Sequence, residues 1–248
     1  MKEEFVIEGN KLIKYNGKDS YVVVLDGITE IGDNAFEGNK RITDVVLPKS
    51  LKNIGGAAFL GCPKLKTVYI PESVEEIGNS AFRDCEKLER ADLPPRLTVL
   101  EGFLFSGCKK LERVQIPKGV VYIKELAFYG CSLRNVVIPQ GVEVIGNLAF
   151  AFCQELSSVV IPEGVKTIGE KAFAYCGLLN SINIPSTVTT ICNKIIFQTA
   201  IKRVVVPRGV SFIGKEAFAG VPGIDVIWPK DMPRGNVQGD MVFFYWLD

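Results

Sequence analysis

The residues best suited to chemistry in this sequence are its seven cysteines, most of which recur at a constant spacing. The regular row contains Cys62, Cys85, Cys108, Cys131, Cys153 and Cys176, and Cys192 lies outside it. Such a row could bind metal ions or form disulfides. However, the sequence has no C-x-x-C pair, and stacked side chains with parallel Cβ directions suit neither a disulfide nor a tetrahedral site. We favour the interpretation that these cysteines are small buried residues in a tight turn.

Other catalytic signatures are missing from the sequence. There is no histidine, which removes the commonest general base and the commonest zinc ligand. There is also no P-loop, no G-x-S-x-G and no G-x-G-x-x-G. A hydrolase that uses paired carboxylates is a weaker alternative, because it needs two acids about 5–9.5 Å apart in a cleft. Asp44 and Asp92 are the available pair, and no pocket is implied around them. We predict a protein that is not an enzyme and has no cofactor or metal.

The charge balance and hydropathy limit the possible partners. The net charge is +1, from 29 basic and 28 acidic residues, so a nucleic-acid partner is not expected. No run of 18 apolar residues is present, and we expect no membrane span. The start, "MKEEFVIEGNK", has no apolar segment typical of a signal peptide.

The chain repeats itself with a period of 22 or 23 residues. A proline after an apolar residue, which is aliphatic in every repeat except the last, marks each repeat: Pro48, Pro71, Pro94, Pro117, Pro139, Pro162, Pro185, Pro207 and Pro229. An aliphatic position and a phenylalanine position keep the same period, the latter at Phe36, Phe59, Phe82, Phe105, Phe128, Phe150, Phe173, Ile196 and Phe218. One such unit cannot bury its own apolar face, and stacking the units buries it.

The repeat predicts an α/β solenoid of about nine rungs. In "LKTVYIP", Leu65, Val68 and Ile70 alternate inward as a strand, which Pro71 ends. The strands should form a parallel, concave sheet. The stretch "NSAFRDC" should return as a short helical or 3₁₀ turn on the other side. The position after the repeated isoleucine is glycine in most rungs, but Glu101, Lys124 and Cys192 occupy it in three others. We therefore predict a negative φ at this position.

The consensus L-x-x-V-x-I-P-x-x-V-x-x-I-G-x-x-A-F-x-x-C resembles the BspA-type leucine-rich repeat family, and "LKTVYIPESVEEIGNSAFRDC" at 65–85 fits it without a gap. The resemblance implies a right-handed leucine-rich-repeat superhelix without catalytic residues. Family members are often bacterial cell-surface proteins, and some are similar to adhesins, so a cell-surface or secreted location is implied. A cytoplasmic location is the alternative, because no signal peptide is visible. The chain departs from the consensus at 191–201, "ICNKIIFQTAI".

Three segments are expected along the chain. Residues 1–24 should form an N-terminal capping hairpin that turns at Gly9-Asn10, and residues 25–229 the repeats. Residues 230–248 should form a C-terminal cap in which the apolar "MVFFYWLD" folds back near Trp228, because solenoid ends need a cover.

Specificity should lie in the variable outward positions of the strands. The predicted protein-binding residues are Tyr69, Arg90, Asp92, Arg113, Gln115, Val137 and Val160. Tyrosine and arginine are favoured in protein interfaces, although valine also suits any solvated strand. We therefore expect a monomer that binds a protein or peptide along the concave face. The alternative is a purely structural or self-assembling repeat segment.

Overall fold

The computed structural model describes residues 4–230 and the backbone of 243–246. Its strands form a stacked parallel solenoid, preceded by a hairpin of Phe5–Glu8 (β1) and Lys11–Tyr15 (β2). Gly9, with a positive φ of 58°, and Asn10 close this hairpin. The parts of the predicted caps at 1–3, 231–242 and 247–248 lie outside the described residues.

A long-strand ladder forms one side of the stack. Its strands are Tyr21–Val23 (β3), Asp44–Val46 (β5), Thr67–Tyr69 (β7), Arg90–Ala91 (β9), Arg113–Val114 (β11), Asn135–Val137 (β13), Ser158–Val160 (β15), Arg203–Val205 (β18) and Asp225–Trp228 (β20). β3, β5, β7, β9 and β11 pair in this order. β13 pairs with β15, and β18 pairs with β20. Phe243–Trp246 (β21) pairs in parallel with β20, so that Trp246 is opposite Trp228.

A short-strand ladder of two-residue strands forms the second side. It contains Glu30–Ile31 (β4), Asn53–Ile54 (β6), Glu76–Ile77 (β8), Val99–Leu100 (β10), Tyr122–Ile123 (β12), Val144–Ile145 (β14), Thr167–Ile168 (β16), Thr190–Ile191 (β17) and Phe212–Ile213 (β19). β2 pairs in parallel with β4, which attaches the hairpin to this ladder.

The third side corrects the α/β prediction, because the described residues contain no α- or 3₁₀-helix. The residues two before each phenylalanine from Phe36 to Phe173 have positive φ angles, for example 52° at Ala57 and 54° at Leu126. A left-handed residue cannot continue a right-handed helix. Instead, turn amides bond to the next rung, as Phe59 N donates to Ala81 O at 2.7 Å. The stacked rung thus accepts the main-chain hydrogen bonds that a helix would form within itself.

The predicted periodic core is confirmed. The seven phenylalanines from Phe36 to Phe173 are at most 1% exposed. Their rings form one continuous stack, with centroids 4.7–5.6 Å apart and planes within 18°. Tyr15 continues the stack onto the hairpin, 5.3 Å from Phe36. In the divergent rung, Ile195 and Ile196 occupy the alanine and phenylalanine positions and are fully buried.

The glycine position of the repeat has the negative φ that the sequence predicts. Glycine is favoured there for a steric reason. Gly78 is absent from the residues with positive φ, as are Glu101 and Lys124 in the same position. A Cβ on Gly78 would lie only 2.5 Å from the main-chain nitrogen of Gly56 in the preceding rung. Glycine therefore allows close approach of two rungs.

Candidate functional site

The cysteine row is part of the core. All six of its members are at most 2% exposed. Each thiol donates a hydrogen bond to the phenylalanine carbonyl of the preceding rung, as Cys108 Sγ does to Phe82 O at 3.1 Å. All seven cysteines are free, and the described residues contain no group that could hold a metal ion. The row therefore links each rung to the one before it.

Burial makes these thiols poor nucleophiles. Desolvation raises the pKa of Cys108 and Cys131 well above the ordinary thiol range, and raises that of Cys176 to about 12. The thiolate is the reactive form, so these side chains are inert near neutral pH. Cys192 is only partly buried, and desolvation followed by the charge of Glu170 raises its pKa.

Charged residues on the turns and the short-strand ladder form ion pairs between rungs. Glu75 accepts hydrogen bonds from Lys52 at 3.3 Å and Arg96 at 2.8 Å, which lower its pKa. Lys124 and Glu101, which replace glycine in neighbouring rungs, pair at 2.8 Å. Such exposed pairs stabilise a fold only weakly, so they serve mainly as a solvated surface.

Some carboxylates instead bond to the main chain of the next rung, and Glu163 is an example. Glu163 accepts hydrogen bonds from the main-chain N–H of Ser186 at 3.2 Å and from its hydroxyl at 2.9 Å. These bonds, the main-chain one first, lower the pKa of Glu163. The ionised carboxylate is therefore the form that the folded chain favours.

The structure places all seven predicted binding residues on the outward face of the long-strand ladder. Tyr69, Arg90, Asp92, Arg113, Gln115, Val137 and Val160 are all exposed. Arg90 and Arg113 are register partners on β9 and β11, and Val137 and Val160 are register partners on β13 and β15. With rungs about 4.8 Å apart, these residues follow one another along the ladder. We call the seven residues the strand-face patch.

The strand-face patch contains one arginine without a partner among the described residues. Arg90 Nε contacts Asp92 Oδ2 at 2.9 Å, and this pairing raises the pKa of Arg90. Arg113, one rung further, has no ion pair or side-chain hydrogen bond within 4–230. An open depression of about 870 Å³ lies at this point, lined by Arg90, Asp92, Arg113, Gln115 and their neighbours. The arrangement can present a guanidinium, a phenol and apolar side chains to one ligand.

The carboxylates considered for hydrolysis have other contacts. Asp92 pairs with Arg90, and Asp44 accepts a hydrogen bond of 2.7 Å from the hydroxyl of Thr43. Asp44 lies in β5 and Asp92 directly follows β9, and β7 separates these two strands. The sequence alternative of a carboxylate hydrolase gains no support from these contacts.

Sequence reasoning missed a second aromatic row on the turn side. It consists of the half-buried Tyr129, Phe152, Tyr175 and Phe197. The closest pair is Phe152 and Tyr175, with centroids 4.2 Å apart. An aromatic residue close after the core phenylalanine position in four successive rungs is the signal that could have revealed it. Since the rings cover one another, we interpret this row as structural.

Comparison with known proteins identifies the repeat. The profile described as "BspA type Leucine rich repeat region" matches residues 11–131 and 99–225, in six copies. No curated protein sequence matches the chain significantly.

Solved structures show the same architecture. The Treponema pallidum leucine rich repeat protein TpLRR is 28% identical, with a TM-score of 0.52, over 86% of this chain and 82% of that one. A leucine-rich repeat protein from Bacteroides ovatus is 22% identical, with a TM-score of 0.60, over 96% of this chain and 64% of that one. The pneumococcal vaccine antigen PcpA is 21% identical, with a TM-score of 0.58, over 89% of this chain and 65% of that one. The chain thus spans slightly less than two thirds of the latter two, which are similar in fold.

Proposed function

The chain belongs to the BspA-type leucine-rich repeat family, and from this premise we propose that it is a non-enzymatic module that binds another protein through the strand-face patch. The observation that carries the proposal is the clustering on one face of Tyr69, of Arg113, which has no partner within 4–230, and of the exposed valines. Tyrosine and arginine dominate the binding energy of protein interfaces, usually beside apolar contacts.

The proposal rests on a difference between the core positions and the strand-face positions of each repeat. Of the nine rungs, eight hold phenylalanine, seven hold alanine and six hold cysteine at the corresponding core positions, whereas the strand-face positions vary from rung to rung. Val137 is 68% exposed and Val160 is 52% exposed, so both can be covered without reorganising the core. Removing this apolar area from water would favour binding by about 25 cal/mol per Å². A cell-surface location, which the family resemblance implies, stays a prediction.

Photocrosslinking at matched tyrosines tests the site. Tyr69 is 56% exposed on the long-strand ladder, and Tyr122 is 44% exposed on the short-strand ladder. p-Benzoylphenylalanine at either position should leave the fold intact, since neither ring is buried. Candidate host and bacterial envelope proteins are then offered to both variants under ultraviolet light.

We expect a purified partner to crosslink at position 69 and not at position 122. A partner that crosslinks equally at both positions, or only at 122, contradicts the proposed face. If no candidate crosslinks at either position and the protein remains monomeric, the alternative of a purely structural repeat segment gains support.

A further inference from the structure

The first strand of the long-strand ladder has one edge that pairs with no strand within the described part of the chain. β3 lies at the end of its sheet and pairs only with β5 among the described residues. Val24 N donates to Val46 O at 2.9 Å, and Ser20 O accepts from Thr43 N at 2.7 Å. Because main-chain groups alternate in direction along a strand, those of Tyr21 and Val23 point to the open side.

The N-terminal hairpin covers the other parts of this end. β2 pairs with β4, and Tyr15 lies on Phe36 at the end of the ring stack. Phe5 follows on Tyr15, with centroids 5.0 Å apart. The hairpin therefore closes the short-strand ladder and the aromatic core, but it does not pair with β3. At the opposite end of the long-strand ladder, β21 pairs with β20, so the molecule itself shows how an added strand closes such an edge.

The free edge is apolar, and the short length of β3 is the one usual protection that the strand itself has. Tyr21, Val23 and Leu25 are 59%, 55% and 48% exposed. Edge strands are commonly protected by lysine, proline or a bulge, and β3, with the sequence YVV, contains none of these. An exposed edge of this kind is a template for another strand.

A groove beside the edge has a definite charge. It has a volume of about 540 Å³ and is lined by Glu4, Phe5, Ile7, Tyr15, Asp19, Tyr21, Val22, Val23 and Leu25. Seven of these nine residues are apolar or aromatic, the two charged ones are both acidic, and no lysine or arginine is among them. A ligand in this groove would meet an apolar wall with negative charge at its rim.

We propose that the free edge of β3 and this groove bind an extended peptide segment of a partner polypeptide, which adds as a strand and carries apolar side chains with at least one lysine or arginine. The main-chain groups of Tyr21 and Val23 would supply hydrogen bonds. The apolar wall would accept alternate side chains, and Glu4 and Asp19 would select a cation. This site is separate from the strand-face patch and does not depend on it.

Peptide selection followed by matched variants tests this site. A display library of random twelve-residue peptides is selected on the immobilised full chain, and one enriched peptide is synthesised with a fluorescent label. Binding is measured by anisotropy for the wild type, Val23→Lys, Asp19→Lys and Val205→Lys. Val205 is the control because it occupies the corresponding outward position of β18, 49% exposed and distant from the groove.

We expect enriched peptides in which β-branched or aromatic residues alternate with lysine or arginine. Val23→Lys and Asp19→Lys should each weaken binding about tenfold or more, because they place a cation against a basic ligand. Val205→Lys should bind like the wild type.

Equal binding to Val23→Lys, or enrichment of acidic peptides, would overturn the proposal. Sedimentation equilibrium of the peptide-free protein and its two valine variants measures self-association and provides a second test. Self-association that Val23→Lys abolishes and Val205→Lys preserves would identify a second copy of this chain as the occupant and would refute the peptide assignment. A monomer in both variants, together with the expected peptide pattern, supports it.

Discussion

Replacement of Phe150 by alanine tests the aromatic stack at its most enclosed point. Phe150 is fully buried, between Phe128 at 5.2 Å and Phe173 at 5.4 Å, with ring planes within 10° of both. A buried phenylalanine-to-alanine change costs about 3–5 kcal/mol, because it removes apolar contacts and leaves a cavity. Each ring pair contributes about 0.5–1.5 kcal/mol beyond burial. Since two neighbours lose a partner, we expect a loss of about 4–5 kcal/mol in the free energy of unfolding.

A graded series separates the ring contacts from simple burial. Phe150→Leu keeps most of the apolar volume but loses both ring pairs, so we expect a loss of about 1–3 kcal/mol. Ile196 already occupies the same position in another rung, which indicates that an aliphatic side chain is accommodated. Phe212→Ala is the matched control, because this ring is 55% exposed, and it should change stability by about 0.5 kcal/mol or less.

The assay is equilibrium unfolding in urea, followed by far-ultraviolet circular dichroism, with equal m-values required for the comparison. A loss for Phe150→Ala below about 1.5 kcal/mol, or equal to that of Phe212→Ala, would refute the enclosed stack. It would mean that the periodic rings are not shielded by neighbouring rungs.

The remaining predictions concern the spacing of the rungs, the thiols and one carboxylate. Gly78→Ala should cost about 1–3 kcal/mol in urea unfolding because its Cβ would meet main chain at 2.5 Å, whereas Gly56→Ala, with 3.5 Å to its nearest neighbour, should be nearly neutral; equal effects would contradict the steric explanation. Iodoacetamide at about pH 8 should alkylate Cys192 first in the native protein, and the six buried thiols only after unfolding, as mass spectrometry of peptides would show. Early labelling of the buried row would mean that the rungs open readily. For Glu163, whose folded pKa is lowered, the stabilisation is present above its ordinary pKa and is lost as the pH falls through the folded pKa. The urea midpoint of Glu163→Gln should therefore lie below that of the wild type at about pH 7 and converge with it at about pH 2, while Glu155→Gln should match the wild type at both; a gap that persists in acid would contradict the assignment.

The sequence predicts the core well because the core is periodic. The burial of Phe59, Val68 and Cys85 follows from fixed positions, since each rung repeats the environment of its neighbours. The strands and the outward orientation of the strand-face residues follow from alternation with period two.

The turns could not be predicted in the same way. Ala57 and Leu126 are residue types that favour helices, yet both adopt the left-handed conformation. Local propensity is overruled because the stacked rung supplies hydrogen bonds to the turn amides. The steric role of Gly78 was likewise hidden, because the contact is with a rung more than 20 residues away in sequence. The open edge of β3 depends on where the hairpin pairs, which no single rung encodes.

The sequence predicts the residues of the strand-face patch as exposed binding positions, but it does not predict the contacts among their side chains. Its outward direction follows from the pleat, but the pairing of Arg90 with Asp92 and the freedom of Arg113 depend on side-chain geometry. Similar surface charges elsewhere pair between rungs, as Lys166 does with Glu143 at 2.9 Å. The sequence alone does not distinguish these outcomes.

One double variant tests most directly whether the strand-face patch binds a partner independently of the stability of the core. Tyr69→Ala combined with Arg90→Ala removes two exposed side chains of the strand-face patch and none of the core. Affinity for a partner captured at position 69 and the thermal midpoint are measured on the same preparation. We predict an affinity loss of about tenfold or more with a midpoint close to that of the wild type. Unchanged affinity, or a loss of binding that only accompanies a lowered midpoint, would contradict the account.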